Sequence, residues 1–263
     1  YDVAIIDENN IWAVGEIYMK DSLGNYDPII YNIVKWNGIN WKPERVYFVN
    51  GQGQSFLAPM KSIFAFDANN IWIGLDQVIK WNGENYQSFE ISHTIFHSWI
   101  NKIWGASNND IYIIGNGGNI AHWDGSSWKK IESGTTNDIK NIIGIATDNK
   151  NCFIYMTTGE ALLKIDSKNT LIKINANEQM LVHSVWGTSN NKIFTAGKGV
   201  VALIKEKWEK VDDPVASMVY TINGENYNNI YGLGSNYSLV HFNGVDWNVV
   251  FSENYYIGLQ IAV

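Results

Sequence analysis

The residues best suited to covalent, metal or anion chemistry are few in this sequence. It contains 1 cysteine and 5 histidines, and its single arginine is Arg45. Cys152 can form no disulfide within the chain and no cysteine zinc cluster, and its apolar surroundings favour a buried small hydrophobic residue over a reactive thiol. One arginine cannot build a cluster that holds a carboxylate ligand.

The histidines do not follow a metal-ligand pattern. His122 and His241 each precede an aromatic residue at the same place in a repeat, which favours a structural role. His93 and His97 are four residues apart in a predicted loop, where a metal would need further ligands. No Gly-x-Ser-x-Gly string marks a nucleophilic serine. We therefore predict no catalytic residues, no cofactor and no enzyme activity.

One loop offers oxygen ligands. Between residues 16 and 31, Asp21, Asn25 and Asp27 surround a glycine, and carboxylate and amide oxygens are ligands that Ca²⁺ takes. Their spacing does not match an EF-hand, and solvated carboxylates are common in loops. This set is a weak calcium candidate, and the main prediction is that no metal is bound.

Composition excludes several classes of protein. The net charge is -7 and the pI about 5.2, so the chain lacks the basic surface that nucleic acid requires. Apolar residues make up 46%, which excludes wholesale disorder, and no apolar run is long enough to span a bilayer. The sequence begins with Tyr1 and shows no export signal, so we expect a monomeric domain cut from a longer chain.

A repeat of about 40 residues organises the whole chain. Each copy contains an asparagine-rich turn followed by a hydrophobic-aromatic pair. The pairs are Ile11-Trp12, Ile71-Trp72, Ile111-Tyr112, Cys152-Phe153, Ile193-Phe194 and Ile230-Tyr231. The wider first interval indicates an insertion in the first copy.

Each copy reads as four strands, which we call A to D. In the clearest copy, strand A is Ile100–Ala106, B is Ile111–Gly115, C is Ile120–Trp123 and D is Ser127–Ile131. Asn-Gly or Asp-Gly dipeptides between C and D predict two-residue type I′ hairpin turns. They begin at Asn37, Asn82, Asp124 and Asn243. Aromatic residues flank these turns and should pack between neighbouring copies.

This pattern predicts an all-β protein, a β-propeller of four-stranded antiparallel blades in one domain, 1–263. The blades should start near residues 2, 61, 99, 139, 180, 216 and 256. Gly258–Val263 reads as a further strand A, so seven blades with the last incomplete are favoured over six.

Three strings carry a family resemblance: IWAVGEIYMKDSLGNYDPIIYNIVKWNGINW, WGAS and NGGNIAHWDGSSWKKIESGT. They resemble a family of bacterial surface or secreted β-propellers whose biochemical function is not established. The resemblance implies export, an extracellular or cell-surface location and seven blades, and it carries over no catalytic residues. WDGSSW is also similar to the Asp-box of sialidases, which is a turn signature.

The B–C and D–A connections vary among copies, and variable loops on a rigid scaffold are where binding sites usually lie. The candidate ligand-binding residues are Tyr18, Asp27, Tyr47, Phe56, His97 and Trp99. The first hypothesis is a non-enzymatic binding or scaffolding module that engages a protein partner. The second is a carbohydrate-binding propeller, and the third is a hydrolase with an axial active site. A broad exposed apolar patch would indicate a protein partner, and shallow pockets with one exposed aromatic would indicate a sugar.

Overall fold

The computed structural model describes most of the chain as β structure. The residues described are 1–49, 53–146, 152–166, 168–175, 181–189, 192–205, 207–211, 218–235 and 238–252. Within them lie six four-stranded sheets and one two-stranded sheet. A 3-10 turn, Asn116–Gly118, joins two strands of one sheet.

The strands follow one another along the chain. The first sheet contains β1 (Asp2–Asp7), β2 (Asn10–Ile17), β3 (Tyr31–Trp36) and β4 (Trp41–Glu44). The small hairpin contains β5 (Phe48–Val49) and β6 (Ser55–Phe56). The second sheet contains β7 (Ser62–Asp67), β8 (Asn70–Gly74), β9 (Val78–Trp81) and β10 (Tyr86–Phe89). The third contains β11 (Ile100–Ser107), β12 (Asp110–Gly115), β13 (Asn119–Trp123) and β14 (Trp128–Glu132).

The remaining three sheets repeat this order. The fourth contains β15 (Asn141–Ala146), β16 (Cys152–Thr157), β17 (Ala161–Ile165) and β18 (Leu171–Asn175). The fifth contains β19 (Ser184–Ser189), β20 (Lys192–Gly197), β21 (Gly199–Ile204) and β22 (Lys207–Lys210). The sixth contains β23 (Val219–Asn226), β24 (Asn229–Gly234), β25 (Leu239–Phe242) and β26 (Trp247–Phe251).

The predicted four-stranded, antiparallel repeat is confirmed, since each sheet holds consecutive strands in the order A to D. Cys152 begins β16 as a half-buried residue. Strand A of the fifth sheet begins at Ser184, four residues after the predicted blade start near 180, because Val182 forms an isolated bridge with Gly159 instead. The strand predicted over 258–263, which would begin a seventh blade, lies outside the described residues.

The prediction of two-residue type I′ turns is wrong. Trp36 pairs with Trp41, so the loop between β3 and β4 has four residues. Only its glycine has a positive φ, 86° at Gly38. The Asn37 side chain instead closes the loop, because its Oδ1 accepts N–H groups from Ile39 at 3.1 Å and Asn40 at 2.9 Å.

The same side-chain closure recurs in three other C–D turns. Oδ1 atoms of Asn82, Asp124 and Asn243 each accept two backbone N–H groups at 2.8–3.0 Å. Their glycines have φ values of 97°, 92° and 94°. Thus the dipeptide predicted the right position, but the acceptor side chain and one positive-φ glycine decide the turn.

The described chain forms two compact units. The first consists of residues 1–113 and 122–129, and the second of 114–121 and the chain from 130 onward. Within the first unit, the A strands β1, β7 and β11 are neighbours, and within the second β15, β19 and β23 are neighbours. Within each unit, neighbouring blades therefore contact one another through their A strands.

Buried polar side chains join the A strands of the first unit. Asp2 Oδ2 accepts the N–H of Ile63 at 2.9 Å, and Ser62 Oγ accepts the N–H of Ile103 at 2.9 Å. Lys102 Nζ lies 2.6 Å from Asp2 Oδ1 and neutralises this buried carboxylate. In the second unit, Ser184 plays the part of Ser62 toward strand β23. One polar position in the repeat thus satisfies main-chain donors of the next blade.

Aromatic side chains pack between blades, as predicted. The inter-blade ring pairs include Trp12–Trp81 at 5.8 Å, Phe89–Trp123 at 5.4 Å and Phe194–Phe242 at 6.5 Å. Trp128 and Trp247, which follow the C–D turns, are buried. Trp41, at the same repeat position, is 48% exposed, and its described ring partner is Trp36 of the same blade.

The two repeated histidines are structural. His122 Nε2 lies 2.6 Å from Asp110 Oδ1, and its ring stacks on Tyr112 at 4.3 Å. His241 contacts Asn229 at 2.7 Å and stacks on Tyr231 at 4.4 Å. Each histidine connects strands B and C of its own blade, which agrees with the interpretation from the sequence.

Candidate functional site

Each blade has two ends with different chemistry. We call the end with the A–B and C–D turns the turn side, and the end with the B–C loops and D–A connections the loop side. Every candidate binding residue from the sequence lies on the loop side of the first unit.

The loop between β2 and β3 is organised by its own carboxylates. Asp21 Oδ1 accepts N–H groups from Leu23 at 2.8 Å and Asn25 at 2.9 Å. These bonds, above all the one from Asn25, lower the pKa of Asp21. Asp21 and Asn25 also bond to each other through their side chains at 3.4 Å. The calcium candidates therefore serve as acceptors and donors within the loop.

Asp27, predicted as a ligand-binding residue, is paired with Arg45. The guanidinium also donates to the carbonyl oxygens of Ile29 at 2.8 Å and Ile30 at 3.1 Å, and it stacks over Tyr31 at 3.9 Å. The N–H of Ile29, followed by Arg45, lowers the pKa of Asp27. The only arginine of the chain thus fastens the β2–β3 loop to the segment after β4.

The connection from β4 to β7 is held from inside. Asn32 is fully buried, and its Nδ2 donates to the carbonyl oxygens of Val46 at 2.8 Å and Ala58 at 3.0 Å. Phe56 is half-buried and stacks on buried Phe48 at 5.6 Å. Phe56, another predicted ligand contact, therefore uses its ring to pack the small hairpin onto the core.

Three of the predicted residues present free aromatic surface. Tyr18, Tyr47 and Trp99 are 52%, 52% and 51% exposed. They come from three separate connections, after β2, after β4 and after β10. Trp99 is held in place by its neighbour Ile100, whose N–H donates to the Leu75 carbonyl oxygen at 2.6 Å.

His97 is exposed beside buried Phe96, which anchors the connection between β10 and β11. The turn before it is closed by the Ser92 carbonyl oxygen, which accepts N–H groups from Ile95 and Phe96. His97 is thus available to solvent, and the structure gives it no role in holding the loop.

Other apolar residues of the same connections are also exposed. They are Met19, Leu23, Tyr26, Ile29 and Val49, and Leu23 is 84% exposed. The aliphatic members were missed in the sequence because hydrophobic residues inside loops resemble core residues. The available signal was their position in connections that do not repeat.

Glu16 was also missed. It lies at the end of β2, and its two carboxylate oxygens accept hydrogen bonds from Tyr18 Oη at 2.6 Å and Tyr1 Oη at 3.1 Å. The Tyr18 hydroxyl, and then that of Tyr1, lowers the pKa of Glu16. A charged carboxylate thus lies between two exposed aromatic rings.

The described ranges contain neither a group of metal-ligating side chains nor a membrane-spanning helix. No group of three or more histidine, cysteine, aspartate and glutamate side chains is placed there to hold a metal ion. A separate search of the same residues found no helix long and apolar enough to cross a membrane.

No protein-family model and no curated protein matches the chain. Several solved structures are similar to the chain. YCF48 bound to D1 peptide has a TM-score of 0.69 and 14% identity, covering 94% of this chain and 79% of that one. YCF48 from Cyanidioschyzon merolae has a TM-score of 0.63 and 10% identity, with 95% and 84% covered. A streptogramin B lyase has a TM-score of 0.63 and 13% identity, with 95% and 86% covered.

These similarities and the six sheets show the fold: the chain is an all-β protein, a β-propeller of four-stranded antiparallel blades. At this level of identity the similarity shows the fold alone. The similar structures include a lyase and a protein bound to a peptide, so the function must be argued from the site.

Proposed function

We propose that this propeller is a non-enzymatic binding module that engages a protein partner through the loop side of the first unit. The observation that carries the proposal is the group of exposed tyrosine, tryptophan and aliphatic side chains on that side. Exposed apolar patches on a rigid scaffold are typical of protein interaction sites.

The loops that carry this surface are firmly supported. Arg45 ties the β2–β3 loop to the next connection, and buried Asn32 fastens that connection at two points. A surface held in this way loses little conformational freedom on binding, which favours affinity. The propeller structure that contains a D1 peptide shows that this fold accommodates a peptide ligand in at least one protein.

The non-enzymatic part of the proposal rests on the side chains at this surface. Asp27 is paired with Arg45 and Glu16 is held by two tyrosines, and hydrogen bonds lower the pKa of both carboxyls, which disfavours the protonated form that a general acid needs. A bacterial surface or secreted location is part of the proposal, supported by the sequence resemblance.

Carbohydrate binding is the second candidate. Tyr18, Tyr47 and Trp99 offer half-exposed rings of the kind on which sugars stack. The aliphatic residues beside them, Leu23 and Val49, suit a protein surface better because they cannot form hydrogen bonds with hydroxyl groups.

A random 12-residue peptide library displayed on phage, selected on the immobilised protein, tests the proposal. Selected peptides should bind in solution, and Trp99→Ala should weaken them about tenfold or more, as expected for an aromatic anchor. The matched control is Trp41→Ala, which removes an equally exposed tryptophan from the turn side.

A parallel thermal-shift screen with oligosaccharides separates the two candidates. A ligand at a hundred times its Kd stabilises the folded state by about 2.7 kcal/mol. Peptides that bind wild type and Trp99→Ala equally would contradict the proposed surface. A sugar that stabilises wild type but not Trp99→Ala, with no peptide selected, would establish the carbohydrate alternative.

A further inference from the structure

The carboxylate of Glu16, on the loop side, is exposed and has a fixed orientation that suits a ligand. The hydroxyls of Tyr1 and Tyr18 donate to different oxygens of Glu16, which holds the carboxylate in one orientation. Both rings are more than half exposed, and Glu16 itself is exposed. The two hydrogen bonds favour the charged form of Glu16, so this group is an anion at neutral pH.

Neighbouring carboxylates have cationic partners in the protein. Asp2 is paired with Lys102, Asp27 with Arg45, and Glu44 with Lys35. Glu16 has no such ion pair in the described part of the chain. The nearest lysine, Lys61, places its Nζ over the Tyr1 ring at 3.9 Å instead.

An anion between exposed aromatic rings suits a cation. Lysine and arginine are attracted both to carboxylates and to the faces of tyrosine rings. The protein uses this chemistry itself, since Lys35 pairs with Glu44 while its Nζ lies 3.9 Å from the Trp12 ring. Around Glu16, the Tyr1 ring is covered by Lys61, while no cation of the described residues lies over the Tyr18 ring.

Most of the exposed charged residues on this side of the first two blades are acidic, as Glu16 is. On the loop side of the first two blades, the exposed charged residues outside ion pairs are Glu16, Lys20, Asp21, Asp76 and Glu90, and Lys61 is half-buried. Acids outnumber bases among them, and the whole chain carries a net charge of -7. A basic segment would be attracted to this surface and oriented by it.

We infer that Glu16, flanked by Tyr1 and Tyr18, anchors a lysine or arginine side chain of the protein partner. This inference rests on the proposed function and specifies the chemistry of the partner. The cation would lie against the Tyr18 ring, because Lys61 already covers the Tyr1 ring, and the apolar surface that includes Tyr47 and Trp99 would contact the rest of the segment.

The same peptide selection tests this inference. Selected peptides should be enriched in lysine and arginine, and a fluorescent copy of the most enriched one should bind wild type. Glu16→Gln should weaken it about tenfold or more, and Glu16→Lys should abolish binding. Glu84→Gln, the same charge change on the turn side, should stay within twofold of wild type. Replacing the basic residues of the peptide with citrulline or norleucine should cost as much as Glu16→Gln.

The outcomes separate this inference from the proposed function. Peptides that depend on Trp99 but bind Glu16→Gln within twofold of wild type would overturn the inference and leave the proposed function intact. Equal losses for Glu16→Gln and Glu84→Gln would show a general charge effect, and this too would overturn it. If no peptide is selected, both proposals fail.

Discussion

The turn side and the loop side of the first unit are built on opposite principles. On the turn side, four C–D turns in the chain share one design, in which an asparagine or aspartate oxygen accepts two N–H groups and a glycine has a positive φ. On the loop side, the connections differ in length, composition and hydrogen bonding. Repetition marks the residues that hold the blades, and its absence marks the surface available for recognition.

The difference has a physical cause. A four-residue turn has few allowed backbone conformations, so the four blades that have this turn solve the same steric problem with the same residue types. A long loop has many solutions, provided that its polar groups are satisfied and its ends are anchored. Asn32 and Arg45 meet that condition here, and the remaining loop side chains are left free.

The largest expected contrast is between two tryptophans. Trp72→Ala removes a fully buried ring of the repeat and should lower the free energy of unfolding by about 3–5 kcal/mol. Trp99→Ala removes a half-exposed ring and should change it by less than about 0.5 kcal/mol. Urea denaturation of both variants is the measurement. Similar losses would contradict the assignment of Trp99 to a free surface.

A pair of glycines gives a smaller contrast. Gly125 has a φ of 92°, and an added Cβ would lie 2.8 Å from Asn109 Cβ, so Gly125→Ala should cost about 2–4 kcal/mol from strain and overpacking. Gly24 has a φ of 85° with nothing within 4 Å, so Gly24→Ala should cost only about 1 kcal/mol. Thermal unfolding of both variants checks this difference. Equal costs would mean that the turn side is no more tightly packed than the loop.

The smallest expected effect is the pH dependence of the stability that Asp124 contributes through its C–D turn. Lys129, followed by Ser126 and Ser127, lowers the pKa of Asp124 well below its ordinary value of 3.8. A lowered pKa in the folded state means that Asp124 stabilises the protein above pH 3.8 and loses this contribution as the pH falls toward the folded-state pKa.

Asp124→Asn keeps the oxygen acceptor but not the charge, and Asn occupies this place in the other three turns. Wild type should therefore melt at a higher temperature than Asp124→Asn at pH 7, and the difference between the two melting temperatures should shrink steadily as the pH falls below 3.8. A difference that is constant with pH would show that the charge of Asp124 does not stabilise the turn.

Much of the fold was predictable because the repeat expresses local rules. The strand order, the position of the C–D turns and the burial of Trp128 and Trp247 follow from turn residues and alternation. The turn type was predicted wrongly, because a dipeptide does not show which side chain will accept the N–H groups of the turn.

The candidate surface was only partly predictable. Tyr18, Tyr47 and Trp99 are exposed as a binding role requires, while Phe56 packs on Phe48 and Asp27 pairs with Arg45. The chain separates Asp27 from Arg45 by 18 residues, and no local pattern joins them. Glu16 was overlooked because its significance depends on Tyr1, 15 residues away.

The sequence by itself determined the strands and turns of the blades, since the strand period and the turn residues act over a few residues and need no distant partner. The tertiary structure alone decided which loop side chains make contacts within the protein and which remain exposed to solvent. That choice depends on contacts between segments distant in sequence, such as Arg45 with Asp27 and Asn32 with Ala58, which fix where each side chain lies. The exposed aromatics and the tyrosine-held Glu16 are what these contacts leave open to a partner.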